Sequence, residues 1–334
     1  MLAFELSAIS RTIVEDMAEV EPDEEVLVVT DAEMMDVATP LAVAARAAGG
    51  QTVLSVMPRA EAHGNEPPAT IAEAMKAADI VFAVTTKALT HSDARQASAT
   101  VGTRTYILRG VTTEMMLEGG INTDYEELTR VTTAVSTVLR EANTARVTSK
   151  AGTDVTMDLT GRGSYVLDGR FYDDGRAAAA IPTGEAPTSP AEGTTNGTIV
   201  IDASMDNIGQ LETPITLTVT DGVVTDVSGG AEADELRHIL ENADENAGNI
   251  AEFAIGTNPD ARFIGNLAED KKVQGSVHFA VGDNRGIGGT VRSSIHLDGV
   301  LAHPTVEVDG VTIVRDGALD TELVFERASE VEER

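Results

Sequence analysis

The chain has 334 residues, more than a single core of ordinary size needs, and 42% of them are hydrophobic, so two domains with separate cores are expected. It carries 24 basic against 55 acidic side chains, a formal net charge of −31, which argues against a nucleic-acid partner because phosphate binding needs basic patches. Cysteine is absent, which excludes disulfides, thiolate zinc sites and cysteine nucleophiles. Only five basic residues are lysines (Lys76, Lys87, Lys150, Lys271, Lys272), an acid-rich balance suited to the salt-filled cytoplasm of an extreme halophile. The N-terminus, MLAFELSAISRTIVEDMAEVEP, lacks the basic segment and apolar core of a signal peptide. No apolar run approaches the roughly 20 residues that span a bilayer, so a soluble cytoplasmic protein with no membrane partner is expected.

The first 145 residues alternate between helical and strand periods. Leu6 to Val20 reads as an amphipathic helix ending before Pro22. Glu25–Thr30, EVLVVT, is a short apolar run of the kind that forms buried parallel strands, and Asp31 follows at a helix N-cap position. A helix to Ala48 closes on Gly49-Gly50, which reads as a C-terminal cap and not as a phosphate loop. Strands Thr52–Met57, Ile80–Thr85 and Thr105–Arg109 follow, with helices over Thr70–Ala78, after the third strand, and over Thr123–Ala142. This βαβ series predicts a doubly wound α/β domain over residues 1–145, with no nucleotide motif. Ligands of such sheets sit beyond the carboxyl ends of strands, so the loop TTKALTHSDARQ offers Lys87, Thr90, His91 and Arg95. Thr90 and Ser92 are better explained as helix caps, which leaves His91 as the candidate substrate contact.

From Arg146 onward, alternating β-formers and glycine turns predict an antiparallel, β-dominated domain over residues 146–334, interrupted by a helix near Ala233–Asn246. ITLTVTDGVVTDVSG carries an Asp-Gly dipeptide between two alternating runs, a strong hairpin signal. Every candidate metal ligand lies in this domain. His278 sits in the strand-like run SVHFAVG, and in SIHLDG the two-residue spacing puts His296 and Asp298 on one side of a strand. Imidazole and carboxylate on one face suit a divalent transition metal, and equally describe a core histidine and a strand entering a turn. Glu185, in AAAAIPTGEAPTSP, and Glu252, in NIAEFAIGTNP, are carboxylates among small or apolar neighbours. Each is either solvated or committed to a partner. His303, in AHPTVEVDG, stands between a turn role and a site role.

Taken together these residues resemble the aminopeptidase T family of metallo-aminopeptidases over most of the chain. That family holds its metals through two glutamates, a histidine and a histidine-x-aspartate pair. Glu185 in P-T-x-E, Glu252, His278 in H-x-A-x-G, and His296 with Asp298 match in that order. THSDAR and VTTEM resemble small archaeal relatives. The resemblance implies a homodimeric peptidase with two divalent ions per chain, zinc, cobalt or manganese, activating a water with Glu185 or Glu252 as proton acceptor. Where the family has a tyrosine seven residues after the histidine, this chain has Arg285, which could stabilise an oxyanion but not repeat a phenol's proton chemistry.

The superfamily that this chain resembles looks to include ring-cleaving dihydroxypyridine dioxygenases, which hold one Fe(II) through two histidines and an aspartate. On that alternative His278, His296 and Asp298 are the ligands, Glu185 and Glu252 orient them or bind substrate, and Arg285 suits an anionic aromatic ring. A metal-stabilised binding module without turnover is a third reading.

Overall fold

Val26, Val28, Ile80, Phe82 and Val84 face one apolar cluster, while Leu27, Val29, Val81 and Ala83, which alternate with them, face another. Strands covered on both sides read as continuous apolar runs, and these two lie at the centre of a fully parallel sheet. Its order is Gln51–Val56, Glu25–Thr30, Ile80–Thr85, Arg104–Arg109, Ala178–Ala180. Leu6, Ile9 and Leu41 cover one face and Ile71 and Met75 the other, so the expected doubly wound α/β arrangement is found. The computed structural model describes residues 2–90, 92–172 and 178–332.

The local signals act as their chemistry requires. Asp31 caps the turn after its strand by accepting from the Glu33 amide, and Gly49 closes the Met35–Ala47 helix at φ 103°. Ser92 caps Asp93–Ala99 by accepting from the Arg95 amide. Thr90 does not cap; its carbonyl accepts from Arg95 Nε at 2.8 Å. The first helix, Leu2–Arg11, passes into a π-helical stretch over Thr12–Met17 and ends earlier than the apolar spacing suggests, with Glu19 at φ 48°.

Two antiparallel sheets make up the β-rich part, as expected. The larger, eight-stranded sheet includes the hairpin Ile215–Thr220/Val223–Ser228, whose turn residues Asp221 and Gly222 both have positive φ, the twist-compatible hairpin geometry. The smaller sheet runs Gly209–Gln210, Ser204–Met205, His296–Leu301, Val277–Gly282, Ile250–Gly256, Glu185–Thr188. Its Phe253, Phe279, Val281, Leu297 and Leu301 share a core with Val147, Val155, Ile199 and Leu217 of the larger sheet.

By contacts the chain divides into Met1–Tyr125 with Asp168–Thr183, and Glu126–Leu167 with Gly184–Arg334. The expected boundary at 145 differs from this division in two places. The helix Tyr125–Arg140 places Val131, Val135 and Leu139 in the core of the second unit, and residues 168–183 belong to the first, where Ala178–Ala180 adds a parallel strand. Among the described residues, no helix is long and apolar enough to cross a membrane.

Candidate metal centre

Strand register alone brings the five candidate ligands to one face. In an antiparallel pair, opposed residues point to the same side and every second residue returns to it. Ala280 opposes Glu252 on one neighbour and Asp298 on the other. His278 lies two residues before Ala280, and His296 two before Asp298, so both share that side. Gly256, four residues after Glu252, opposes Glu185 on the next strand. The opposite face holds the apolar core. On the polar face His278 has Ala254 opposite it, so a small neighbour leaves room between the polar side chains.

The side chains converge. One ligand atom each from Glu252, His296 and Asp298 lies within 4.8 Å of the other two, a group able to hold a metal ion. The Glu252 carboxylate spans both imidazoles: Oε1 is 3.1 Å from His278 Nε2, and Oε2 is 3.1 Å from His296 Nε2. Asp298 Oδ1 lies 3.4 Å from His296 Nε2, and Glu185 Oε2 lies 3.6 Å from His278 Nε2. His296 Nδ1 is 2.7 Å from the Asp283 carbonyl, which can only accept; the proton is therefore on Nδ1 and Nε2 is turned toward the carboxylates. Buried Asp298 Oδ1 has only a long 3.4 Å contact with His296 Nε2, and an acceptor so weakly satisfied beside the Glu252 carboxylate fits a cation.

Neighbouring side chains balance the charge in this site. Burial pushes the Glu252 carboxyl up, but hydrogen bonds from His278 and His296 outweigh it and hold the group low. Burial acts the same way on Asp298, against the attraction of Lys271 and His296, which keeps it well below the usual carboxylate range. Burial lowers His296, but hydrogen bonds to Asp298 and Glu252 raise it well above an ordinary imidazole. A divalent ion would have to displace that Nε2 proton.

Two functional candidates were not singled out from the sequence. Lys271 Nζ is 2.8 Å from Asp298 Oδ2 and 3.6 Å from Glu185 Oε2, and Lys272, 1% exposed, pairs with Glu185 Oε1. Burial and the adjacent Lys271 lower the Lys272 ammonium to about 8, with Glu185 opposing, whereas Lys271 is raised because Asp298, Glu185 and Glu252 outweigh its burial. The segment is pinned in place: Asn258 N donates to the Lys272 carbonyl at 2.9 Å, and Gly275 N to the Gly256 carbonyl at 2.9 Å. A Cβ at Gly256 would lie 2.2 Å from the Val273 carbonyl oxygen, so only glycine lets this segment close over the strand end that faces Glu185. The signal available in the sequence was compositional, two of five lysines standing side by side in a chain that otherwise avoids them.

The loop leading to His296 is clamped by carboxylates. Glu192 Oε1 accepts from Thr290 N at 2.9 Å and from Asn284 Nδ2 at 3.1 Å, and Oε2 pairs with Arg162. Burial opposes the charge, yet these bonds lower the Glu192 carboxyl to about 2 from an ordinary 4.5. A group depressed on folding contributes stability above its unfolded pKa, and the contribution is lost as pH falls through the folded value. Glu192→Gln should therefore melt below the wild type at pH 7, with the difference shrinking between about 4.5 and about 2. A gap in melting temperature that stays constant down to pH 2 would remove the carboxylate's charge from this account.

Among the described residues Arg285 is not brought to the five; it is 53% exposed at its side chain, and its Nη2 pairs with Asp283 Oδ2 at 2.7 Å. The expected oxyanion role therefore has no support in its placement. His303 precedes the strand Pro304–Val308 and meets Phe263 edge-on, ring centroids 6.2 Å apart. His91 lies outside the described residues.

Comparison with known proteins separates the two superfamily readings. Residues 12–321 match the NicX family, 2,5-dihydroxypyridine 5,6-dioxygenase. The 2,5-dihydroxypyridine 5,6-dioxygenase of Pseudomonas putida is 28% identical over 262 residues, covering 73% of this chain and 71% of that protein. In solved structures, the 2,5-dihydroxypyridine dioxygenase from Pseudomonas putida aligns with a TM-score of 0.78 at 23% identity, over 95% of this chain and 97% of that one. AmpT from Thermus thermophilus aligns with a TM-score of 0.67 at 18% identity, over 96% and 100%. Both structural likenesses speak for the fold. The aminopeptidase expectation, with its hydrolase, metalloprotease and proteolysis assignments, is overturned by the family match and the sequence relative. The ligand types and their order could not separate the readings, because one histidine- and carboxylate-lined sheet face accommodates either chemistry. Matched over residues 12–321, the chain belongs to the 2,5-dihydroxypyridine 5,6-dioxygenase (NicX) family.

Proposed function

We propose that this protein is an Fe(II)-dependent ring-cleaving dioxygenase acting on a dihydroxylated pyridine or a close nitrogen heteroaromatic analogue. The observation that carries this reading is that His278 Nε2 and His296 Nε2 each lie 3.1 Å from an oxygen of the one Glu252 carboxylate, with Asp298 Oδ1 3.4 Å from His296 Nε2. Two imidazoles and a carboxylate form the ligand set of non-haem iron oxygenases. Iron would be held by His278, His296 and Asp298; Glu252, which forms the compact trio with His296 and Asp298 and is hydrogen-bonded to both imidazoles, is read as their orienting partner. Bound there, Fe(II) would supply redox-active Lewis-acid chemistry for ring cleavage by dioxygen. The chain's own groups do the rest. The Asp283 carbonyl would fix the His296 tautomer, and Glu252, hydrogen-bonded to both imidazoles, would orient them.

Oxygen uptake by protein loaded anaerobically with Fe(II), followed together with loss of ring absorbance on adding 2,5-dihydroxypyridine, tests the reading. Equimolar oxygen and ring consumption is expected; iron-loaded protein that consumes neither, across a panel of dihydroxylated pyridines, would sink it. The ligand assignment has its own test. His278→Ala should lose iron at least about tenfold more readily than Glu252→Gln, since removing a ligand costs more than removing its orienting partner. The reverse order would move Glu252 into the ligand set and His278 out of it.

A further inference from the structure

Glu185 shares the polar face with the proposed iron ligands, its Oε2 3.6 Å from His278 Nε2, but each of its oxygens also faces an ammonium group. Lys272 pairs with Oε1, and Lys271 lies 3.6 Å from Oε2. Lys271 also reaches Asp298 Oδ2 at 2.8 Å, so one ammonium links two carboxylates in the manner of a bridging metal ion. Three buried carboxylates, Glu185, Glu252 and Asp298, bring three negative charges to the face, and the two lysines bring two positive ones. One divalent ion raises the positive count to four. A second would raise it to six against the same three carboxylates, and an uncompensated buried charge is strongly disfavoured.

From this balance we propose that Lys271 and Lys272 act as a built-in substitute for a second cation, holding Glu185 out of the coordination sphere and restricting a face with five potential ligands to one divalent ion. The inference rests on the iron-site reading above. It also explains why a ligand series fit for two ions serves a one-ion centre. The lysines are positioning residues: they act on Glu185 and Asp298, and through them on what the site can bind.

The test is metal stoichiometry on the full chain, with Mn(II) as probe because its paramagnetic resonance distinguishes a lone ion from an exchange-coupled pair. Wild-type protein should bind one Mn(II) per chain with an uncoupled spectrum. Lys271→Ala/Lys272→Ala should bind two with a coupled spectrum, and adding Glu185→Gln should return the count to one. A folded double variant that still takes one ion, or wild-type protein that takes two, overturns the proposal. Should the double variant unfold in chelator, excess Mn(II) is expected to restore its circular dichroism and melting transition with two ions bound; failure to do so also overturns it. Oxygen uptake by the iron-loaded wild type reports on the dioxygenase reading separately, so either can fail while the other stands.

Discussion

Replacing His296 by alanine should abolish iron retention and oxygen uptake while leaving the fold in place. His296 opens the strand His296–Leu301, whose pairing with Val277–Gly282 is carried by backbone hydrogen bonds that alanine also makes. Its partners, Glu252, Asp298 and the Asp283 carbonyl, are polar, so the variant loses hydrogen bonds and not apolar packing. What disappears is the Nε2 atom facing Glu252 and Asp298, together with the Nδ1 bond that fixes its tautomer. Loss of a supporting partner alone costs about 10- to 100-fold in metal affinity or activity, so loss of a ligand is expected to cut both by at least about 100-fold. Far-UV circular dichroism should match the wild type, and His303→Ala, outside the group, should keep its iron. A His296→Ala protein that purifies with a full complement of iron and turns over would remove this residue from the centre.

The parts of the site that could be read from the sequence are those set by strand periodicity. His296 and Asp298 are two apart, His278 is the second residue of VHFAVG, and Glu252 interrupts IAEFAIG; a two-residue period then places each on a definite side. Parallel-strand runs such as EVLVVT were legible for the same reason, being apolar on both faces. What was not legible depends on long-range register. Lys272 lies far along the chain from Glu185, and nothing local joins them. The link is Gly256, which opposes Glu185 in the sheet and leaves no Cβ against the segment carrying Lys272. The strand Ala178–Ala180 was hidden likewise, since three alanines carry no β signal until Arg104–Arg109 offers them an edge. Arg285 misled because its place after His278 suggested a role, whereas Asp283, two residues earlier, captures its guanidinium.

Breaking the buried Glu185–Lys272 pair should cost the fold a large part of its stability. Each partner is almost wholly enclosed, 4% and 1% exposed at the side chain, so neither charge can fall back on water if the other is removed. Breaking a buried pair by truncating one partner typically costs about 3–5 kcal/mol, most of it the penalty of the stranded charge and not the worth of the pair. Glu185→Leu leaves the Lys272 ammonium between an apolar side chain and Lys271, a like charge. Lys272→Met leaves Glu185 with Lys271, 3.6 Å away, as its remaining cation, so this variant should suffer less. The double variant Glu185→Leu/Lys272→Met strands neither group, and its loss should fall well short of the sum of the two single losses, a coupling of at least about 1 kcal/mol. Denaturant unfolding of the four proteins, all in chelator and at one high salt concentration, closes the cycle. Additive losses would mean the pair does not act as a unit and that each charge finds solvation elsewhere. Non-additivity with Glu185→Leu the worse single variant would establish that Lys272 is held charged inside the fold by the carboxylate it faces.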